Sequence, residues 1–309
     1  MSPPKVAIAP VAEDGLVNAV EAGGGVVVDD PTDADAVVWT NYADPDGLGE
    51  LLADSDPRWV QLPLAGVENF FAAGVIIPGP IWTCAKGAYG RACAEHALAL
   101  MLAAARRLHV HARAAEWVST GFGAPERELA GATVVIIGTG GIGSALAPML
   151  QPLDVEIVGV NRSGRALDGA ARTVPVEELA EVLPEADFVV VAAALTPATE
   201  GLLDQHMLRR MKPSAWVINV ARGALIDTDA LVAVLEDGAI GGAALDVTEP
   251  EPLPSGHRLW SLSNALITPH VANTPDMAVP QLRRLVERNV AHFAAGEDLE
   301  GLVDPDLGY

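Results

Sequence analysis

Three residues of unlike chemistry stand in short, distinctive contexts: Arg222 in N-V-A-R-G, Glu251 in E-P-E-P-L-P and His270 in I-T-P-H. An arginine can hold a small carboxylate, a histidine can give a proton to an alkoxide, and an acid beside that histidine orients the ring and favours its imidazolium form. Taken one at a time each has an ordinary reading: Arg222 as a surface cation, Glu251 as one solvated acid among the 41 Asp and Glu of the chain, His270 as a satisfied histidine. Their placement changes the weighing. Each follows a strand-like run, and ligands of open α/β sheets bind at the carboxyl ends of the strands.

A second constellation lies upstream. Thr133 to Gly143 reads T-V-V-I-I-G-T-G-G-I-G, a β-branched run that passes into Gly138, Gly140, Gly141, Ile142 and Gly143 and then into a helix-like stretch from Ser144 to Leu150. Alone, G-x-G-x-x-G is a weak signal, but between a strand and a helix it has the context that a dinucleotide pyrophosphate needs. Gly138 permits the turn, Gly140 lets a phosphate approach the backbone, and Gly143 allows close packing of helix on strand. The end of the next apolar run reads V-G-V-N-R-S-G-R, with Asn161 where an acid would hold the ribose hydroxyls of NAD and with Arg162, Ser163 and Arg165 behind it. Arginines there suit a 2'-phosphate, so NADP is expected to be preferred over NAD.

The elements that must carry these groups repeat from Thr133 onward as strand, helix, strand. Apolar runs at 133–137, 156–160, 188–192, 215–219, 243–247 and 265–268 imply a parallel sheet with crossover helices. Between the fourth and fifth runs a helix is signalled by Asp227 as its cap and Gly238 as its stop. The first hundred residues repeat the alternation more loosely at 6–9, 26–29, 36–40 and 59–62. The fold expected is α/β, a Rossmann-type doubly wound parallel sheet inserted into a second, smaller flavodoxin-like domain. Residues 1–98 with 280–309 form the smaller, substrate-binding domain and 99–279 the dinucleotide-binding one. A helix from Ala92 to about Trp117 joins them, another runs from about Gln281 to Ala295, and 121–128 reads as a surface loop.

Composition narrows the partners. A net charge of -22 argues against nucleic acid or an anionic membrane and makes each arginine near a motif significant for an anionic ligand. Lys5, Lys86 and Lys212 are the only lysines among 19 basic residues. Cys84 and Cys93 suit neither a disulfide scaffold nor a metal site, His109 and His111, two apart on a helix, point to different faces and make a poor metal pair, and no metal is expected. The N-terminal segment has no basic region followed by a long apolar core, so a cytoplasmic location without a membrane span is expected.

The ordered motifs from Thr196 to Gly223, from Gly241 to Pro254 and from Ile267 to Ala272 resemble the D-isomer-specific 2-hydroxyacid dehydrogenases, across nearly the whole chain. The resemblance implies hydride transfer between NAD(P)H and a small 2-keto or 2-hydroxy acid, with glyoxylate and hydroxypyruvate as leading substrates. It implies that Arg222 binds the substrate, that His270 is the acid or base and that Glu251 pairs with it. Asp246 would meet the nicotinamide end, Val220 and Ala221 would line the cofactor through their backbone, and Thr199 is placed with them. Ala65 and Gly66 would hold the substrate carboxylate through backbone N–H groups. A homodimer is expected, since the small apolar residues of the helix from Ala92 could bury a subunit face. Ala194, Ala272 and Glu68 stand where many members carry Pro, Gly and Asp, which leaves the substrate's identity open. Two other readings remain: a dinucleotide-sensing corepressor without activity, and a formate dehydrogenase relative, in which Gln would stand in place of Glu251.

Overall fold

The computed structural model describes residues 2–117, 126–305 and 308, so 121–125 of the expected surface loop lie outside the described residues. The chain divides into two compact units, Met1–Tyr89 with Thr274–Tyr309 and Gly90–Asn273. The divisions fall where two helices begin, rather than after 98 and 279 as the sequence suggests, because a helix moves with one core and cannot be shared along its length.

In the first unit the chain runs β1 (Lys5–Ala9), α1 (Asp14–Ala22), β2 (Val26–Val28), β3 (Ala36–Trp39), α2 (Pro45–Ala53), β4 (Trp59–Gln61), α3 (Glu68–Ala72) and β5 (Ile81–Thr83). Its described strands form a parallel sheet in the order β2-β1-β3-β4-β5, the flavodoxin-like order. β-Branched runs such as A-V-V-W are buried throughout, as a parallel sheet covered on both faces requires. Asp44 accepts from the Gly47 N–H at 2.9 Å and Pro45 fills the first helical position, which starts α2.

The second unit contains α4 (Gly90–Ala105), α5 (Leu108–His111), β6 (Thr133–Ile137), α6 (Gly141–Leu150), β7 (Glu156–Asn161), β8 (Arg172–Pro175), α7 (Leu179–Val182), β9 (Phe188–Val191), α8 (Gln205–Leu208), β10 (Trp216–Asn219), α9 (Thr228–Glu236), β11 (Gly242–Leu245) and β12 (Ala265–Ile267). The parallel order is β12-β11-β10-β9-β6-β7-β8. Strand order reverses between β6 and β9, so the glycine turn that leaves β6 opens at the topological switch point. One face of this sheet is packed by Ala94, Ala97, Leu100 and Met101 of α4 and by Leu146 and Leu150 of α6. The opposite face is packed by α7 and α9 through Leu179, Leu231 and Leu235. Gly90 lies so close to the Gly141 carbonyl that a Cβ would collide with it, which lets α4 pack tightly against α6.

Several elements differ from expectation. β5 and β8 carry too little unbroken apolar sequence to read as strands; I-W-T is cut short by its neighbours and R-T-V-P ends in proline. The helix expected to run to Trp117 stops at Ala105, because Arg107 takes a left-handed backbone (φ 51°) that redirects the chain into α5. That turn brings His109 edge-on to Trp216, with ring centroids 5.5 Å apart. Finally α10 (Pro275–Ala295), in the first unit, starts at Pro275 rather than Gln281 and carries Pro280 inside it. Among the described residues no helix is long and apolar enough to cross a membrane.

α10 is tied to its sheet by a polar contact. Asn289 is fully buried, its amide donates to Gln61 Oε1 and to the Glu300 carbonyl, both at 3.0 Å, and its oxygen accepts the Glu300 N–H at 2.8 Å. Asn289→Ala strands those buried partners and is expected to cost about 2 kcal/mol in urea unfolding. An unchanged midpoint would remove this tie from the account.

Candidate functional site

The glycine turn is shaped by two close approaches and one open position. Gly138 has φ 97° and its N–H bonds the Val160 carbonyl at 2.8 Å. A Cβ there would strike the backbone of Ala192 and Ala193, and one on Gly143 would strike the Gly138 carbonyl. A Cβ on Gly140 would meet nothing within 4 Å. Gly140 is also the N-cap of α6, and no side chain caps the first turn, so the N–H groups of Gly141, Ile142 and Gly143 face the turn with the positive end of the helix behind them. Such a cradle fits a dinucleotide pyrophosphate.

At the end of β7, Asn161 folds the next segment into a compact turn. Its amide donates to Thr139 Oγ1 at 2.8 Å and to the Arg165 carbonyl at 2.7 Å, while its oxygen accepts the Ser163 N–H at 3.0 Å. Arg162, Ser163 and Arg165 are exposed on this turn. Thr199 is engaged locally, its hydroxyl donating to the Ala194 carbonyl at 2.7 Å and accepting the Thr196 N–H at 2.8 Å.

Beyond β10, Asn219 braces the segment that ends in Arg222. Asn219 Oδ1 accepts from the Ala221 N–H at 3.0 Å and its amide donates to the Arg222 carbonyl at 2.8 Å. Val220 and Ala221 are buried, and the half-buried Arg222 donates from Nη1 to the Ala221 carbonyl at 2.8 Å. Asn219 escaped the sequence reading, although an Asn closing a strand in N-V-A-R-G is a signal for side-chain capping of a turn.

His270 and Glu251 meet. His270 Nδ1 lies 2.6 Å from Glu251 Oε1, both side chains remaining partly exposed, and Glu251 Oε2 accepts weakly from the Thr248 N–H at 3.4 Å. With Nδ1–H given to the carboxylate, Nε2 is the ring atom left for chemistry. His270 itself adopts a left-handed backbone with φ 53°, which is unfavourable for a residue carrying a Cβ.

The buried Asp246, next after β11, stabilises that conformation. Its Oδ1 accepts from Thr268 Oγ1 at 2.6 Å and from the Val271 N–H at 2.9 Å, its Oδ2 from the Ala272 N–H at 2.9 Å, and its backbone carbonyl from the His270 N–H at 2.8 Å. Burial alone pushes this carboxyl up, but donors from His96, Thr268 and the two backbone amides outweigh burial and hold it at about 2. Asp246 is therefore an anion whose oxygens are turned into the 268–272 turn. Cys93, on α4, senses the same surroundings: burial pushes its thiol up to about 11, Asp246 adds to the rise and Arg222 opposes it.

Arg222, Glu251, His270 and Asp246 thus share one end of the second sheet with the glycine turn. Ala65 and Gly66 belong to the first unit, in the loop after β4. There Tyr89 Oη donates to the Pro63 carbonyl at 2.7 Å and the Ala85 N–H to the Leu64 carbonyl at 3.0 Å. Among the described residues no group of three or more His, Cys, Asp or Glu is placed to hold a metal ion.

Comparison with known proteins agrees with this geometry. Residues 98–272 match the model of the D-isomer specific 2-hydroxyacid dehydrogenase NAD-binding domain. An uncharacterised protein from the proB 3' region of Corynebacterium melassecola is 40% identical over 94% of this chain and 95% of its own length. A glyoxylate reductase of Thermofilum pendens is 33% identical over 86% of this chain and 84% of its own. A D-isomer specific 2-hydroxyacid dehydrogenase from Xanthobacter autotrophicus, solved with NADPH and MES, superposes with a TM-score of 0.85 at 28% identity, covering 99% of this chain and 100% of that one.

The two kinds of glycine separate in a test. Gly140→Ala leaves the packing untouched and is expected to keep the thermal midpoint while weakening dinucleotide binding about tenfold or more. Gly143→Ala forces its Cβ onto a carbonyl and is expected to lower the midpoint itself, by the roughly 1–3 kcal/mol of overpacking. Calorimetric titration and thermal melts read both, and equal dinucleotide binding by Gly140→Ala and the unsubstituted protein would exclude the cradle.

Proposed function

Given that this chain belongs to the D-isomer specific 2-hydroxyacid dehydrogenase family, an NAD(P)-dependent class of oxidoreductases, we propose that it reduces a small 2-keto acid of the glyoxylate or hydroxypyruvate class to the D-2-hydroxy acid with NADPH. The observation that carries this reading is the 2.6 Å contact between His270 Nδ1 and Glu251 Oε1 at the sheet end that also bears Arg222. The nicotinamide, when bound, supplies a hydride to the carbonyl carbon. Arg222 holds the keto acid's carboxylate and carbonyl oxygen, fixing the carbon for attack and withdrawing charge from the oxygen. His270 gives its Nε2 proton to that oxygen as it becomes an alkoxide, and Glu251, accepting from Nδ1–H, keeps the ring oriented for that transfer. Ala65 and Gly66 bind the substrate carboxylate through backbone N–H groups, and Val220, Ala221 and Thr199 line the cofactor by the family's pattern.

Cofactor choice rests on the Asn161 turn. An acid at that position would accept from the ribose hydroxyls; here an amide closes the loop and leaves Arg162, Ser163 and Arg165 exposed, the donors a 2'-phosphate requires. The exposed Leu102 and Leu108, on α4 and α5, supply an apolar face for a homodimer. A strongly negative chain acting on a small acid has no use for nucleic acid or an anionic membrane as partner.

NADPH is expected to be used at least about tenfold better than NADH, because one charge-assisted phosphate contact is worth roughly 1.5–3 kcal/mol. Arg162→Ala should shrink that ratio in kcat/KM, and a wild type that favours NADH would overturn the cofactor assignment. For the proton, His270→Ala should lower kcat about a hundredfold or more with cofactor binding intact. Arg222→Ala should raise KM for the keto acid and lower kcat together, since it removes binding in ground and transition states alike. Wild-type turnover by His270→Ala would refute the assignment of His270 as the proton donor.

A further inference from the structure

His96, on α4, lies outside the residues to which the family pattern gives a role, yet it touches the group that holds His270. His96 Nε2 is 3.0 Å from Thr268 Oγ1 and 3.3 Å from Asp246 Oδ1, and Thr268 Oγ1 is 2.6 Å from the same Oδ1. The three atoms close a ring. An ionised carboxylate only accepts, so the single hydroxyl proton of Thr268 lies on its short contact with Asp246. Toward His96 the Thr268 oxygen must then accept, and Asp246 Oδ1 accepts as well. The hydrogen in both remaining contacts belongs to His96 Nε2. The tautomer, or the imidazolium, is fixed by proton bookkeeping alone.

That donor differs from the rest in origin. The other groups bonded to the Asp246 carboxylate come from the turn it organises: the hydroxyl of Thr268 and the amides of Val271 and Ala272. They stand or fall with the turn. The His96 N–H arrives from a separate helix, held in the core by Ala94, Ala97 and Met101 on its flanks. It therefore fixes Asp246 Oδ1 relative to the sheet even when the turn loosens. The cost that needs holding down is the left-handed backbone of His270, roughly 1–2 kcal/mol for a residue with a Cβ. The charged group in contact with His96 is Asp246, just after β11, whose charge, with that of Arg222, also acts on Cys93 of α4.

We propose that His96 is a positioning residue for the reaction: it donates Nε2–H into the Thr268–Asp246 pair and so keeps the 268–272 turn in the form that presents His270 to Glu251 and to the substrate. This rests on the reading of His270 as proton donor. The two fail differently: full activity of His270→Ala removes that reading, whereas an inactive His270→Ala beside a fully active His96→Leu removes only the role of His96.

The test uses the full-length protein with NADPH and glyoxylate. Variants His96→Leu, His96→Gln, Thr268→Val and the double variant His96→Leu/Thr268→Val are compared by kcat, by KM for each substrate and by thermal midpoint. His96→Leu removes the donor and is expected to lower kcat about tenfold or more, through misplacement of His270, with KM for NADPH little changed. His96→Gln restores an N–H at similar reach and is expected to recover most of that loss. Because His96 and Thr268 act through one carboxylate oxygen, the double variant should fall no further than the worse single one, a strong departure from additivity. Should His96→Leu prove too unstable to assay, the comparison of His96→Gln with a non-donating His96→Met carries the same question. Wild-type kcat in His96→Leu or His96→Met, equal damage in His96→Gln, or multiplying losses in the double variant would each overturn the proposal.

Discussion

The position of His270 depends on one carboxylate. Asp246 leaves β11 as a buried anion and gathers the Thr268 hydroxyl and the amides of Val271 and Ala272 onto its side chain, while its own carbonyl takes the His270 N–H. Four donors from within five residues, 268 to 272, converge on Asp246 and bend the chain after β12 into a turn in which His270 sits at φ 53°. From that backbone the ring reaches Glu251, in the loop after the neighbouring strand, at 2.6 Å. An anionic acceptor is suited to this because charge-assisted hydrogen bonds are about twice as strong as neutral ones, enough to offset both burial and an unfavourable dihedral.

Parallel sheets make such arrangements easy. Every described strand of the second unit points the same way, so the ends of β6, β7, β10, β11 and β12 and the segments after them lie at one edge, bringing together Gly140, Asn161, Arg222, Asp246, Glu251 and His270. The reversal between β6 and β9 opens that edge at the glycine turn. On the proposed reading, a dinucleotide laid there would pass the helix N-terminus with its phosphates, the Asn161 turn with its adenosine end and the Arg222 side with its nicotinamide. The electrostatics follow the same economy. In a chain of net charge -22, many arginines pair with acids, as Arg172 does with Glu185 and Arg288 with Glu300, whereas Arg162 and Arg165 stand exposed beside Asn161.

Much of this is legible in the sequence. The glycine turn was legible because Gly138 and Gly143 meet close backbone approaches that a Cβ would block, while Gly140 keeps the turn open. The common edge of Arg222, Glu251 and His270 was legible because each follows an apolar run that reads as a strand of one parallel sheet. The clasp around Asp246 was not. Its members Thr268 and His96 are separated from it along the chain, and nothing in L-D-V or A-E-H-A announces that one accepts from the other. Asn219, which braces Arg222, hid in the same way. The short edge strands β5 and β8 escaped because edge strands need few apolar residues, and the break after α4 escaped because a left-handed arginine leaves no mark in composition. Local chemistry is written in the sequence; side chains that meet across elements are supplied by the fold.

The dependence of His270 on Asp246 can be measured directly in the hydride-transfer step itself. Asp246→Asn keeps the shape of the side chain but places an NH2 where an oxygen must accept an amide proton, so the 268–272 turn loses one of its anchors and the charge that strengthens the others. Stopped-flow observation of NADPH oxidation in a single turnover isolates that step from product release. A fall in the single-turnover rate of about tenfold or more, in a protein that still unfolds cooperatively, is the result this account requires. A rate equal to that of the unsubstituted protein would show that His270 is held in place by something other than the Asp246 carboxylate.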